Sequence, residues 1–225
     1  SPSAIIQGLA PDGGLYVPLN FPEPNFKLED LPKLSYKQIA AMVIALFFND
    51  FSKEQIISSV TNAYNKQWDD RSIVPIEKHK GNFYMELFHG PTLAFTDIAL
   101  QMLPQLMTRA VQIEKINRDI IILTATSGDT GTASMRGFAN QKGTDVIVFY
   151  PEGGVSPVQL KQMLSQRGKN LQAFAIKGNF DDAQTEVKKI FNDEAFRERL
   201  NQNGYQFSSA NSMNIINSGG RLLID

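Results

Sequence analysis

The sequence has no cysteine and only two histidines, His79 and His89. Without thiols there is no disulfide framework, no thiolate nucleophile and no sulfur-ligated zinc, which fits a reducing compartment. Two imidazoles cannot build a three-histidine zinc site, so no metal site is expected. Charge of one sign is lacking too: 22 Lys and Arg stand against 23 Asp and Glu, a net of −1, with no basic cluster. The electrostatic footprint of nucleic-acid binding is therefore missing, and no basic amphipathic face argues for a membrane surface. The longest apolar run, Ile39 to Phe48, is about half of the ~20 residues that span a bilayer. Ser1 to Pro18 carries neither a basic n-region nor an apolar h-region. The chain reads as cytoplasmic and soluble, or as a mature form that has lost a targeting segment.

What is present is an ordinary globular composition, 225 residues with 42% hydrophobic and 20% charged. That length allows one large domain or one and a half, with enough apolar side chains for a real core. Residues 1 to 34 are rich in Pro and Gly and show no helical period, which predicts turns and short extended pieces, a wrapping segment and not a core. Ser35 with Gln38 and Ser52 with Gln55 form two capping boxes, predicting helices over about 36–49 and 53–67.

From residue 82 the pattern alternates between β-rich and helical runs. Strands are expected at 82–88, 119–126, 145–150, 171–176 and 205–209. Helices are expected at 97–112 with a kink at Pro104, near 130–141, from Pro157 behind the cap Ser156, and over 181–201. The alternation predicts an α/β fold, parallel strands with crossover helices on both faces.

Three segments offer chemistry. Thr126-Ser127-Gly128-Asp129-Thr130-Gly131 lies between a buried strand and a helix start. Such a turn either presents backbone N–H groups and hydroxyls to a carboxylate or phosphate, or is an ordinary turn in which Asp129 or Thr130 caps the helix and Gly128 relieves strain. It is not a nucleotide fingerprint, since no Walker A or G-x-G-x-x-G pattern occurs. Glu86 to Asp97 reads as a strand end, a Gly-Pro turn and a helix start; following a strand as the first loop does, it is expected to share one cleft with it. Its plainer reading has Thr96 or Asp97 as a cap, Leu93 and Phe95 as core and His89 as a hydrogen-bonded turn residue. Ser208 to Asn214 places five small polar side chains in seven positions, either a polar head-group site or an Asx/Ser turn.

Taken together, four motifs resemble the threonine synthase family in its bacterial and fungal branch, within the fold-type-II pyridoxal-phosphate enzymes. They are Gly8-Leu9-Ala10-Pro11-Asp12-Gly13-Gly14-Leu15-Tyr16-Val17-Pro18, Glu86 to Asp97, Ser127 to Gly131, and Ser209-Ala210-Asn211-Ser212-Met213-Asn214-Ile215. The match covers residues 1 to about 215, but only about the N-terminal half of a typical member. The resemblance implies a parallel sheet with flanking helices plus an N-terminal helical subdomain, an incomplete fold-type-II unit. Residues 1–81 would form the wrapping and helical part, 82–215 the cofactor- and substrate-binding region, and 216–225 an unassigned tail.

The resemblance also implies pyridoxal phosphate as cofactor and O-phosphohomoserine as small-molecule substrate, converted with water to threonine and phosphate by a lyase of threonine biosynthesis. By the same resemblance Phe95, Ser127, Gly128, Asp129, Thr130 and Gly131 face the cofactor, Asp129 near its O3′. His89, Thr92, Ser209, Asn211, Ser212 and Asn214 would line the substrate.

Three departures stand out. Where the family carries its Schiff-base lysine, between Phe95 and Asp97, this sequence has Thr96, and a hydroxyl forms no imine and is no base near neutral pH. Thr132-Ala133-Ser134-Met135 differs from the expected helix flank. Ile215-Ile216-Asn217-Ser218-Gly219-Gly220-Arg221 replaces an Asn-Ile-Gly-Arg continuation, and the family's glycine-rich loop for the cofactor phosphate lies further downstream. The alternative is a non-catalytic ligand-binding or regulatory homologue that retains the anion loop. A Rossmann-like domain binding an unrelated anion is a third reading, under which pyridoxal phosphate leaves the melting temperature unchanged.

Overall fold

The structure is a computed structural model and describes residues 1–10, 14 and 16–210. It opens on a helix that the sequence pattern did not suggest: α1 (Pro2–Gln7), six residues long, too short for a 3.6-residue period to show. Ile5 and Ile6 on it are each 1% exposed and belong to the main core. The N-terminal segment is thus partly core, contrary to the expectation of a purely wrapping role.

A 3-10 turn (Leu28–Lys33) leads into α2 (Tyr36–Phe47) and α3 (Lys53–Ala63), and both predicted capping boxes form. The Ser35 N–H donates to Gln38 Oε1 at 2.9 Å, and the Ser52 N–H to Gln55 Oε1 at 2.8 Å.

The segment expected to be a strand over 82–88 is shorter and lies elsewhere. β1 (Ile76–His79) and β2 (Asn82–Met85) form a separate two-stranded antiparallel hairpin. Lys80 and Gly81 turn it with φ of 48° and 85°, the double positive φ that matches hairpin twist.

The single kinked helix expected over 97–112 is two helices, α4 (Asp97–Leu100) and α5 (Leu103–Ile113). Pro104 cannot continue a helix past the Leu100 carbonyl, because its ring meets the carbonyl four residues back. It sits instead in the first turn of α5, where the missing N–H costs nothing.

The remaining chain alternates as predicted: β3 (Asp119–Ala125), α6 (Asp129–Phe138), β4 (Thr144–Pro151), α7 (Pro157–Ser165), β5 (Leu171–Ile176), α8 (Phe180–Asn192), α9 (Glu194–Gln202) and β6 (Tyr205–Ser209). The helical run at 181–201 divides at Asp193, whose carboxylate accepts the Phe196 N–H at 2.9 Å and caps α9. The main sheet is parallel throughout, in the order β5-β4-β3-β6.

Its two faces are distinct. Ile120, Ile122, Val146 and Val148 join Leu100, Leu103, Leu106, Met107 and Phe138 in a core that continues to Val60 and Trp68 of the helical region. Leu123 packs on the other side with Val187 and Phe191 of α8. Helices therefore cover both faces, which is why these strands read as near-continuous apolar runs. Among the described residues no helix is long and apolar enough to cross a membrane.

Topology then places a site. The chain leaves β3 through α6 to β4 on one side, and returns through α8 and α9 to β6 on the other. β3 is the strand at which the winding reverses, and the crevice outside its carboxyl end is where open α/β sheets bind ligands.

Candidate functional site

The loop after β3 is built around Thr126, which is 1% exposed. Its Oγ1 accepts the N–H of Gly128 and that of Gly131, each at 2.9 Å. Neither Asp129 nor Thr130 caps α6, as the plainer reading had it; the N-cap is Gly128, and Thr126 supplies the capping oxygen from two residues earlier. Gly128 has φ of 146°, a conformation that glycine alone adopts freely. At Gly131 a Cβ would lie 2.5 Å from Thr126 Cγ2 and 2.8 Å from Val148 Cγ1, so glycine is required there by packing. Thr132 Oγ1 donates to the Gly128 carbonyl at 2.9 Å and locks the first turn.

Asp129 and Thr130 are the first two residues of α6, so helix geometry leaves their N–H groups without intrahelical acceptors at the positive end of the dipole. Such donors suit an anion, one of the two readings that the sequence left open.

The turn from Gly90 to Asp97 is organised from within. Asp97 is fully buried; its Oδ2 accepts the Thr92 N–H at 2.8 Å and its Oδ1 the Thr92 hydroxyl at 2.9 Å. Burial pushes the Asp97 carboxyl above the usual carboxylate range, against the opposing pull of the Thr92 hydrogen bonds and of the Arg136 charge. Gly90 allows the fold-back, since a Cβ there would lie 2.6 Å from Asp97 Cβ. The turn leaves Leu93 and Phe95 exposed, 63% and 58%, and not in the core. Thr96 between Phe95 and Asp97 is 3% exposed, and its Oγ1 meets no hydrogen-bond partner among the described residues.

His89 holds the base of this turn. Its Nδ1 lies 2.6 Å from Asp69 Oδ1 and its Nε2 2.7 Å from Glu86 Oε2. Hydrogen bonds to Glu86 and then Asp69 raise its pKa above the usual histidine value. Both ring nitrogens are engaged within the chain.

Ser208 and Ser209 end β6 in full burial. Ser209 stands opposite Leu123 in the parallel ladder, so the end of β6 reaches the same sheet edge as the Thr126 loop. Asn211, Ser212 and Asn214 lie outside the described residues.

The structure thus brings Ser127 to Gly131 and Ser209 to one crevice by strand order. The Gly90 to Asp97 turn arrives differently: β2 is not in the main sheet, so no strand of that sheet delivers it. It is carried by α4 against α6, where Gly137 faces the Leu100 carbonyl, and by α7, where Gln162 Nε2 reaches the Thr92 carbonyl at 3.5 Å. Sequence reading missed Gln159, which donates from Nε2 to Asp129 Oδ1 at 2.7 Å. The only local signal for it is a Ser-x-x-Gln helix start.

The model of the threonine synthase N terminus matches residues 1–64. Threonine synthase of Pseudomonas aeruginosa is 36% identical over 214 residues, 93% of this chain and 44% of that protein. Threonine synthase of Saccharomyces cerevisiae is 34% identical over 213 residues, 88% of this chain and 41% of that protein. Among solved structures, the crystal structure of PLP-bound threonine synthase from Brucella melitensis superposes with a TM-score of 0.79 at 37% identity, over 92% of this chain and 44% of that one. The chain spans less than half the length of these relatives. With the four motifs in order, the matched N-terminal model and the shared fold, the chain belongs to the threonine synthase family and corresponds to its N-terminal portion.

Proposed function

We propose that the chain carries the N-terminal site segments of a pyridoxal-phosphate-dependent lyase that converts O-phosphohomoserine and water to threonine and phosphate. The observation that carries this reading is the Thr126–Gly131 loop at the carboxyl end of the switch strand, with two first-turn N–H groups at the positive end of α6. Phe95 and Ser127 to Gly131 face the cofactor in this reading, while His89, Thr92, Ser209, Asn211, Ser212 and Asn214 bear on the substrate. His89 does so through the turn it pins, its nitrogens being occupied by Asp69 and Glu86.

The residues fit the cofactor only in part. The loop suits an anionic ligand: fixed N–H donors in a backbone that the Thr126 hydroxyl and two glycines hold in place. Position 96 does not fit, because a buried hydroxyl with no partner stands where the reaction needs a primary amine. When bound, pyridoxal phosphate supplies an electron sink; Thr96 supplies neither a covalent anchor nor a base.

That same observation favours a second reading, a ligand-binding or regulatory homologue that keeps the loop without turnover. Thermal unfolding with pyridoxal phosphate tests the shared premise. A ligand held by the native state alone raises stability, by about 2.7 kcal/mol at a hundredfold excess over Kd. A rise in Tm that saturates with pyridoxal phosphate, and is lost in Thr126→Val, is the expected result. No rise with the unaltered chain rejects both readings in favour of an unrelated anion site. Phosphate release from O-phosphohomoserine by the unaltered chain would separate the two, in favour of the lyase.

A further inference from the structure

Three helices of the chain begin with the same pattern, a serine followed three residues later by glutamine: Ser35/Gln38, Ser52/Gln55 and Ser156/Gln159. The first two close reciprocally, each glutamine oxygen accepting the backbone N–H of its own serine. The third does not. In α7 the Gln159 N–H donates to Ser156 Oγ at 3.3 Å, and the Ser156 hydroxyl donates to Gln159 Oε1 at 2.8 Å. With its oxygen taken by Ser156, the amide turns its Nε2 out of the helix and donates to Asp129 Oδ1 at 2.7 Å.

The amide also lies flat against the loop. A Cβ on Gly128 would stand 2.7 Å from Gln159 Cδ, so this side chain packs on the loop at a position whose φ already requires glycine. One turn further along α7, Gln162 Nε2 reaches the Thr92 carbonyl. Thr92 is already bound twice to Asp97, the neighbour of Thr96. Residues three apart share a helix face, and their Cα atoms are separated by about 4.5 Å along the axis. The sheet topology does not deliver the Gly90 to Asp97 turn to the crevice, and among the described side-chain hydrogen bonds this helix face touches both segments.

We propose that α7 is the positioning element of the site, with Gln159 holding Asp129 of the β3–α6 loop and Gln162 holding Thr92, so that loop and turn keep a fixed separation. What they are positioned for rests on the function proposed above; the coupling itself needs no ligand.

Amide hydrogen exchange of the whole chain tests it in two variants. Gln159→Leu removes the donor to Asp129. Protection of the Gly128 and Gly131 amides, both bound to Thr126 Oγ1, is expected to fall roughly tenfold, as for loss of one hydrogen bond to a charged group, with a smaller fall at 90–97 and none in β4 or β5. Gln159→Glu keeps an oxygen for the Ser156 hydroxyl but sets a second carboxylate against Asp129. Two such groups share a proton only at low pH, so protection of the Gly128 and Gly131 amides is expected to be low at pH 8 and to recover toward that of the unaltered chain near pH 5. Loss confined to α7, or equal loss at both pH values, would mean that Gln159 only caps its helix, and would overturn the proposal. Pyridoxal phosphate titrations run alongside separate the two ideas. Altered exchange with no binding by the unaltered chain would leave the coupling intact and reject the function; binding that survives in both variants with unchanged exchange would reject the coupling.

Discussion

At the scale of single residues the site is held by two acid-containing clusters that respond to pH in definite directions. Asp97 gathers both polar groups of Thr92 inside the core. Asp97→Ala would leave the Thr92 N–H and hydroxyl without acceptors, a loss of about 1–3 kcal/mol readable by urea unfolding. Asp97→Asn keeps an oxygen for the N–H and costs less. Because burial raises the folded-state pKa of Asp97 above 3.8, its ionisation costs stability as pH rises through that raised value. Asp97→Asn is therefore expected to lose less stability than the unaltered chain across that acid window. His89 shows the opposite chemistry with the same sign: its raised pKa makes the contribution of the Asp69 and Glu86 bonds full below about 6.5 and lost as pH rises through the folded value. In His89→Gln the fall of Tm as pH rises above about 6.5 should flatten. An undiminished fall in that variant would assign the pH dependence to other groups.

At the scale of elements, the placement of the Gly90 to Asp97 turn depends on α4 lying directly on α6. Gly137 permits this, since a methyl group there would press into the Leu100 carbonyl, a backbone atom with no rotamer to give. Gly137→Ala is expected to cost about 1–3 kcal/mol, as overpacking does, and to raise exchange in 90–100 more than in β3. The same elements show what the sequence made legible. Capping boxes, the buried strands β3 and β4 and the Pro157 start were readable because each depends on neighbours within a few residues. α1 was hidden by its brevity, and the exile of β2 from the main sheet by the fact that strand partners are chosen by tertiary packing. The loop motif was visible in Ser127 to Gly131. Its capping by Thr126, its tie to Gln159 and the burial of Thr96 without a partner were not, since each requires segments 5 to 30 residues apart to meet.

At the scale of the molecule, a parallel sheet wound in opposite directions about β3 opens one crevice, and the Ser127 to Gly131 loop and Ser209 reach its edge. The scaffold is that of the threonine synthases, with a TM-score of 0.79 to a PLP-bound member, yet the residue between Phe95 and Asp97 is a threonine. In the function proposed above, the chain keeps the anion-accepting loop and lacks the amine at position 96. Borohydride reduction in the presence of pyridoxal phosphate, followed by intact and peptide mass analysis, tests it most directly. The unaltered chain is expected to show no stoichiometric adduct at any one lysine, and Thr96→Lys a single adduct at position 96. A stoichiometric adduct on one lysine of the unaltered chain, or none in Thr96→Lys, would contradict the account.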